Sequence, residues 1–195
     1  MEIIDLDLNK RYTFADYLTW FDDKRRELID GFVNMMTPAP SRIHQRMIVE
    51  LSRQFSNYLY KKKCEVYVAP FDVRFPSKKG DISDDKIYTV VQPDICIICD
   101  ESKLDSKGCI GAPDLIVEIL SLSTVKKDID DKYKLYQENG VKEYWIVQPN
   151  DETLTVFMLE NGKYQHQGIY TRGSKVNVGI FDGKMSVDLD LVFRD

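Results

Sequence analysis

The sequence predicts an α+β domain: a mixed central β-sheet with helices before and after it. Three observations lead to this. Two near-continuous apolar runs, PDICIIC (93–99) and PDLIVEIL (113–120), read as central strands covered on both faces. Segments of helical period flank them, one from Ser41 to about Lys61 and one ending at Gly140. Two-residue turn signals, Asp30-Gly31 and Asn161-Gly162, join alternating runs into hairpins towards each end.

The bulk numbers fit one domain over residues 1–195. A chain of 195 residues buries about 70% of its unfolded surface, and 43% hydrophobic with 30% charged residues is a globular composition. No apolar run approaches the roughly 20 residues of a membrane span, and the N-terminus lacks a basic segment followed by an apolar one. The expectation is a cytoplasmic protein with no membrane partner. The net charge of −5 is unlike that of a dedicated DNA-binding domain, which is usually basic. An enzyme differs, because a carboxylate site adds negative charge that its metal neutralises. The charge balance therefore neither supports nor excludes nucleic acid. The basic clusters Arg25-Arg26, Lys61 to Lys63, Lys78-Lys79 and Lys126-Lys127 read as solvated surface.

Along the chain, Thr13 is placed to cap a first helix whose apolar residues are Phe14, Tyr17, Leu18 and Phe21. RELID and FVNMM flank Asp30-Gly31, and Pro38 and Pro40 break the chain before the second helix. Ser41 caps that helix, whose stripe is Ile43, Met47, Ile48, Leu51, Phe55 and Leu59. VYVAPFDVRF (66–75) alternates as one strand bent at Pro70. A polar loop follows, then the two Pro-Asp strands joined by the polar stretch 100–112. The third helix is capped by Ser123 or Thr124 and stopped by Gly140. After it come the strand YWIV, the hairpin across Asn161-Gly162, and short strands around Asp182-Gly183.

Cys96 and Cys99 form a CxxC, the common half of a zinc site. They lie in a strand, where residues three apart point to opposite faces and cannot close on one ion. Cys64, Cys96, Cys99 and Cys109 are expected to stay reduced, as small buried hydrophobes.

Candidate chemistry centres on the Pro-Asp strands. Asp114, Ile116, Glu118 and Leu120 share one face of their strand, so Glu118 is an acid within an apolar run. A buried carboxylate needs a cation, a basic partner or its own proton. Asp94 opens the neighbouring strand, and two such acids supply the hard oxygen ligands that magnesium prefers. A strand-end Asp can also be a plain turn former, and Asp114 after Pro113 reads that way. Lys132 occupies the sheet-facing stripe of the third helix with Val125, Ile129, Tyr133 and Tyr136. It can hold a water or stabilise charge on a phosphate, or merely pair with Glu118 or Asp128 or snorkel to solvent. His44 reads as a satisfied core histidine, and Glu27, beside the Asp-Gly turn, as a surface acid. There is no phosphate-binding glycine loop, nucleophile elbow, HExxH or dinucleotide fingerprint, which leaves metal-assisted hydrolysis as the main enzymatic option and implies no nucleotide cofactor.

ELIDG, P-x-P-S-x-x-H (Pro38 to His44), QPDI, GAPDLIVEIL-S-x-S-T, D-x-x-x-K-x-x-x-Y (Asp128 to Tyr136) and GVKEYWIV, in that order, resemble the putative restriction endonuclease family of bacteria, grouped with the PD-(D/E)XK nucleases. The resemblance covers about residues 12–160 and leaves 161–195 as a C-terminal β extension. It implies a restriction-endonuclease-like αβββαβ core with extra N- and C-terminal hairpins. It implies magnesium, or manganese in its place, on Asp94, Glu118 and the Ile119 backbone carbonyl, and no zinc. The superfamily's usual lysine position is Leu120 here, and Lys132 matches the place to which this family's lysine is thought to have moved. Glu27 and His44 match recurrent family positions and become possible supporting residues, with Asp114 beside them. The implied activity is metal-dependent cleavage of DNA, with duplex as the substrate and a homodimer needed to cut both strands. Two other readings are a catalytically idle relative that binds nucleic acid or protein, and a hydrolase of RNA or another phosphodiester.

Overall fold

A computed structural model describes residues 4, 6–22, 24–36, 41–77, 80–121 and 126–194, the first three of the last segment by their backbone only. In chain order the elements are α1 (Phe14–Tyr17), β1 (Arg26–Ile29), β2 (Phe32–Met35), α2 (Arg42–Leu59), β3 (Glu65–Val68), β4 (Val73–Phe75), β5 (Thr89–Val91), β6 (Ile95–Ile98), β7 (Leu104–Asp105), β8 (Gly108–Ile110), β9 (Leu115–Ile119), α3 (Lys126–Asn139), β10 (Glu143–Gln148), β11 (Thr153–Glu160), β12 (Lys163–Thr171), β13 (Lys175–Asn177), β14 (Ser186–Asp188) and α4 (Leu189–Val192). The α+β class holds, but among the described residues the strands divide into two six-stranded sheets and one ribbon instead of a single sheet. Their orders are β2-β1-β5-β4-β8-β7, β12-β11-β10-β9-β6-β3 and β13-β14.

The αβββαβ order expected from the resemblance runs through the second sheet as α2, β3, β6, β9, α3 and β10. β3, β6 and β9 pair antiparallel in succession, and β10 joins β9 in parallel. A parallel pair needs a crossover, and α3 supplies it. The two faces of β9 explain why its sequence is almost wholly apolar. Leu115, Val117 and Ile119 pack with Met47, Leu51 and Phe55 of α2. Ile116 packs with Tyr136 of α3 and with Val73 and Phe75 of the first sheet. Each such side chain contributes about 1.5–3 kcal/mol by leaving water. Ser41 caps α2 through the His44 N–H at 3.2 Å, as expected. The hairpins at Asp30-Gly31 and Asn161-Gly162 also form.

Several expectations need correction. The first helix is one turn long. Thr13 and Asp16 close a capping box around it, but Phe21 is 79% exposed and anchors nothing. Asp22 instead grips the Arg26 guanidinium with both oxygens, at 2.5 and 2.6 Å, where the chain enters β1. VYVAPFDVRF is two strands in different sheets: β3 pairs with β6, β4 pairs with β5 and β8, and a cis Ala69-Pro70 bond lies between them. The polar stretch 100–112 contains β7 and β8, which extend the first sheet. Gly108 is required there: its φ is +124°, and a Cβ would stand 2.2 Å from the Asp72 carbonyl oxygen.

Cys64 and Cys99 are joined in a disulfide, against the expectation of four reduced thiols. The register explains their meeting. Glu65 lies opposite Ile98, so the next residues outward, Cys64 and Cys99, face one another across β3 and β6. Cys96 and Cys109 are free and buried. The cap at Ser123 or Thr124, Val125, Pro38, Pro40 and Lys78-Lys79 lie outside the described residues, as do the side chains of Lys126, Lys127 and Asp128.

Candidate active site

The β6–β9 register brings two acids together. Ile95 pairs with Val117, so one residue further along the same ladder Asp94 lies opposite Glu118. Side chains directly opposed across an antiparallel pair share a face, with Cβ atoms about 5 Å apart. Asp94 also closes the end of the ladder, where its Oδ2 accepts the Ile119 N–H at 2.7 Å. From the first turn of α2, His44 Nε2 approaches the same Oδ2 at 3.2 Å.

Glu118 turns toward α3. Its Oε1 accepts from Lys132 Nζ at 3.0 Å and from the Tyr136 hydroxyl at 2.6 Å. Lys132 and Tyr136 are four residues apart, one above the other on the inner face of the helix. The Lys132 ammonium also reaches Glu27 Oε1 at 3.0 Å, and that oxygen accepts the Gln92 N–H at 2.9 Å. Three elements from distant parts of the chain thus meet on one ammonium: β1 through Glu27, β9 through Glu118 and α3 through Lys132. Glu27 is only 2% exposed, which overturns its reading as a surface acid. His44 is buried, as a core histidine would be, but its Nδ1 has no hydrogen-bond partner among the described residues.

The electrostatics follow from this packing. Burial pushes the Glu118 carboxyl up to about 7; Lys132 opposes that rise, while Asp94 and Glu27 add to it. Burial alone would lower the Lys132 ammonium, but Glu118 and Glu27 outweigh it and hold the group charged. His44 follows the same pattern, with Asp94 raising it against the effect of burial. Three acids, Glu27, Asp94 and Glu118, crowd one ammonium and one imidazole, and a divalent cation would favour the ionised form of all three. Among the described residues, no three His, Cys, Asp or Glu side chains converge as a ready-made metal cage. The donor set fits magnesium on those terms, since that ion is usually held by one or two carboxylates and keeps several waters.

The chain matches the family model described as Uma2, putative restriction endonuclease, over residues 14–189. The chain belongs to this family. An uncharacterized protein of Synechocystis sp. is 29% identical over 134 residues, 68% of this chain and 65% of its own length, so the match spans just under two thirds of that relative. A crystal structure of a putative nuclease from Anabaena variabilis, itself assigned to a family of unknown function, superposes with a TM-score of 0.72. It covers 93% of this chain and 97% of its own at 17% identity, and at that identity the likeness is one of fold. Membership in the Uma2 family associates the chain with nuclease chemistry in general.

Of the residues singled out in the sequence, Glu27, His44, Asp94, Glu118, Ile119 and Lys132 lie together. Asp114 lies at the other end of β9. There it braces the fold, accepting the Cys99 N–H at 2.8 Å and the Lys142 ammonium at 2.7 Å. Gln92 and Tyr136 carried no expected role, although both stand in the motifs quoted for the resemblance. Gln92 leads into a further network. Its amide oxygen accepts from Arg25 Nε and Nη2 at 3.1 and 3.0 Å, and its Nε2 donates to Asp72 at 2.9 Å and to the Tyr17 hydroxyl at 3.2 Å. Arg25, read as a solvated charge, is a strut behind Glu27. Only the residue directly before Pro93-Asp94 could have hinted at this network.

Proposed function

We propose that the chain is a divalent-metal-dependent endonuclease that hydrolyses DNA phosphodiester bonds at Asp94, Glu118 and Lys132. The observation that carries this reading is a buried lysine shared by two acids beside a third, in a chain of the Uma2 family. A magnesium or manganese ion held by Asp94, Glu118 and the Ile119 carbonyl would supply a bound water of lowered pKa and polarise the phosphoryl oxygen. The Lys132 ammonium, kept charged by its carboxylates, offsets charge developing on the phosphate and orients the attacking water. Glu27 holds Lys132 beside Glu118 as a second carboxylate partner, and the Gln92 N–H fixes Glu27 in turn. His44 and the Ile119 N–H hold Asp94 in one orientation, and Tyr136 does the same for Glu118. Zinc and nucleotide cofactors have no place in this chemistry. Cutting both strands at one place would need two copies, which makes a homodimer the working form, acting in the cytoplasm.

The test is nicking of supercoiled plasmid by the purified protein in magnesium or manganese, with chelated controls. Nicking that needs the metal and disappears in Asp94→Ala supports the reading. No nicking in either metal, from folded protein, counts against DNA hydrolysis.

A further inference from the structure

A cavity of about 820 Å³ opens directly beside the candidate site, between the β1–β2 hairpin, the end of β4 and α3, and Lys132 is among its lining residues. This size lies within the range of pockets that take small molecules or cofactors. Its apolar side chains come from both sides: Ile29 from the hairpin, Phe75 from β4, Leu135 from α3. Phe32 stands on its wall and is 45% exposed, although it is a large aromatic at the edge of a sheet. Arg11 and Tyr88 also line it, and the Arg11 guanidinium lies over the Tyr88 ring, 4.8 Å from its centroid, giving a second flat surface.

The charges around the cavity say what it suits. Arg11, Lys132 and Lys134 are matched by Asp30, Asp131 and Glu138, so there is no basic track to follow a phosphate backbone. A lining of mixed polarity with exposed flat faces and balanced charge suits a nucleobase, whose edges carry polar groups and whose π-face stacks on aromatic side chains and on arginine planes. In an uninterrupted duplex each base is already stacked and paired, so only an unpaired or extruded nucleotide can enter such a cavity.

We infer that this cavity receives an unpaired DNA base adjacent to the phosphate held at Lys132, and that the preferred substrate is DNA with an unpaired segment, not continuous duplex. This rests on the nuclease reading of the neighbouring acids and narrows its substrate.

The experiment measures affinity by fluorescence anisotropy for a matched duplex, the same duplex with a central bubble, and the single strand, with calcium in place of magnesium. The full chain is compared with Phe32→Ala, Phe32→Trp and a distant control, Tyr60→Ala, at the far end of α2. The bubble and the single strand are expected to bind at least about tenfold more tightly than the duplex. Loss of one stacking face in Phe32→Ala should weaken them roughly 5- to 100-fold. Phe32→Trp should restore the binding, and Tyr60→Ala should leave the preference intact. Equal affinity for duplex and bubble, a Phe32→Ala loss equal on both, or no binding to any of the three overturns the inference. Cleavage in magnesium is scored separately. A preserved preference without cleavage keeps this inference and sinks the nuclease reading, while cleavage without preference does the reverse.

Discussion

Replacing Lys132 with Met keeps most of the side-chain volume and removes the charge on which Glu27 and Glu118 converge. In the native protein both carboxylates lie 3.0 Å from the ammonium. Breaking a buried ion pair by deleting one partner costs about 3–5 kcal/mol, because the remaining charge is left without compensation. An independent bound agrees. An orphaned carboxylate can escape by taking a proton, and for a glutamate that costs about 1.4 kcal/mol for each pH unit above 4.3, roughly 4 kcal/mol at pH 7. Glu118 is already pushed up to about 7 and takes a proton with little further work. The penalty therefore falls chiefly on Glu27. In Lys132→Met the folded state prefers a protonated acid, so its stability rises as pH falls. The deficit should shrink from about 4 kcal/mol at pH 7 to about 1 kcal/mol at pH 5. For a chain of this size the deficit at pH 7 is a fall of roughly 8–16 °C in melting temperature. Urea unfolding of wild type, Lys132→Met and Glu27→Gln/Lys132→Met at both pH values measures it, and the double variant should recover most of the loss. A deficit below about 1 kcal/mol at pH 7, or one unchanged at pH 5, would refute the buried pairing.

Tyr136→Phe removes a hydroxyl that donates to Glu118 at 2.6 Å, and should cost about 1.5–3 kcal/mol in urea unfolding at a pH above 7, where Glu118 is charged, the usual worth of a hydrogen bond to a charged group. Gly108→Ala forces a Cβ against the Asp72 carbonyl at a left-handed φ, and should cost more than about 3 kcal/mol; a melt within a few degrees of wild type would contradict the close approach. The Arg26 guanidinium holds the Asp22 carboxyl well below the usual carboxylate range. That stabilisation is present above the ordinary Asp pKa of about 4 and is lost as pH falls through the lower native value, so Asp22→Asn should flatten the acid side of a plot of melting temperature against pH. Thiol titration of the protein denatured without reductant should find two free cysteines, Cys96 and Cys109; four would contradict the Cys64–Cys99 bond.

Elements defined by their neighbours in sequence were legible without the structure. Ser41 caps α2 because the cap and the helix it serves are adjacent, and Asp30-Gly31 makes its turn from its own backbone. Glu118 and Lys132 stood out because an acid in an apolar strand and a lysine on an inward stripe both conflict with their surroundings. What was hidden depended on residues far apart in the chain. The sheet change after β3, the Gly108–Asp72 contact and the Cys64–Cys99 bond are set by pairings that no local pattern encodes. Glu27 looked like a surface acid because its partner is 105 residues away, and Gln92 passed unremarked because its role is to tie Arg25, Asp72 and Glu27 together.

The central claim is that Asp94, Glu118 and Lys132 act together on a phosphodiester. Single-turnover cleavage of end-labelled DNA, matched and bubbled, tests it most directly, with wild type beside Asp94→Ala and Lys132→Met, each in magnesium and in chelator. The expected result is metal-dependent cutting by wild type and a loss of about 100-fold or more in each variant, the scale of removing one group that stabilises transition-state charge. Variants that cut as fast as wild type, or cutting that persists in chelator, would place the chemistry elsewhere.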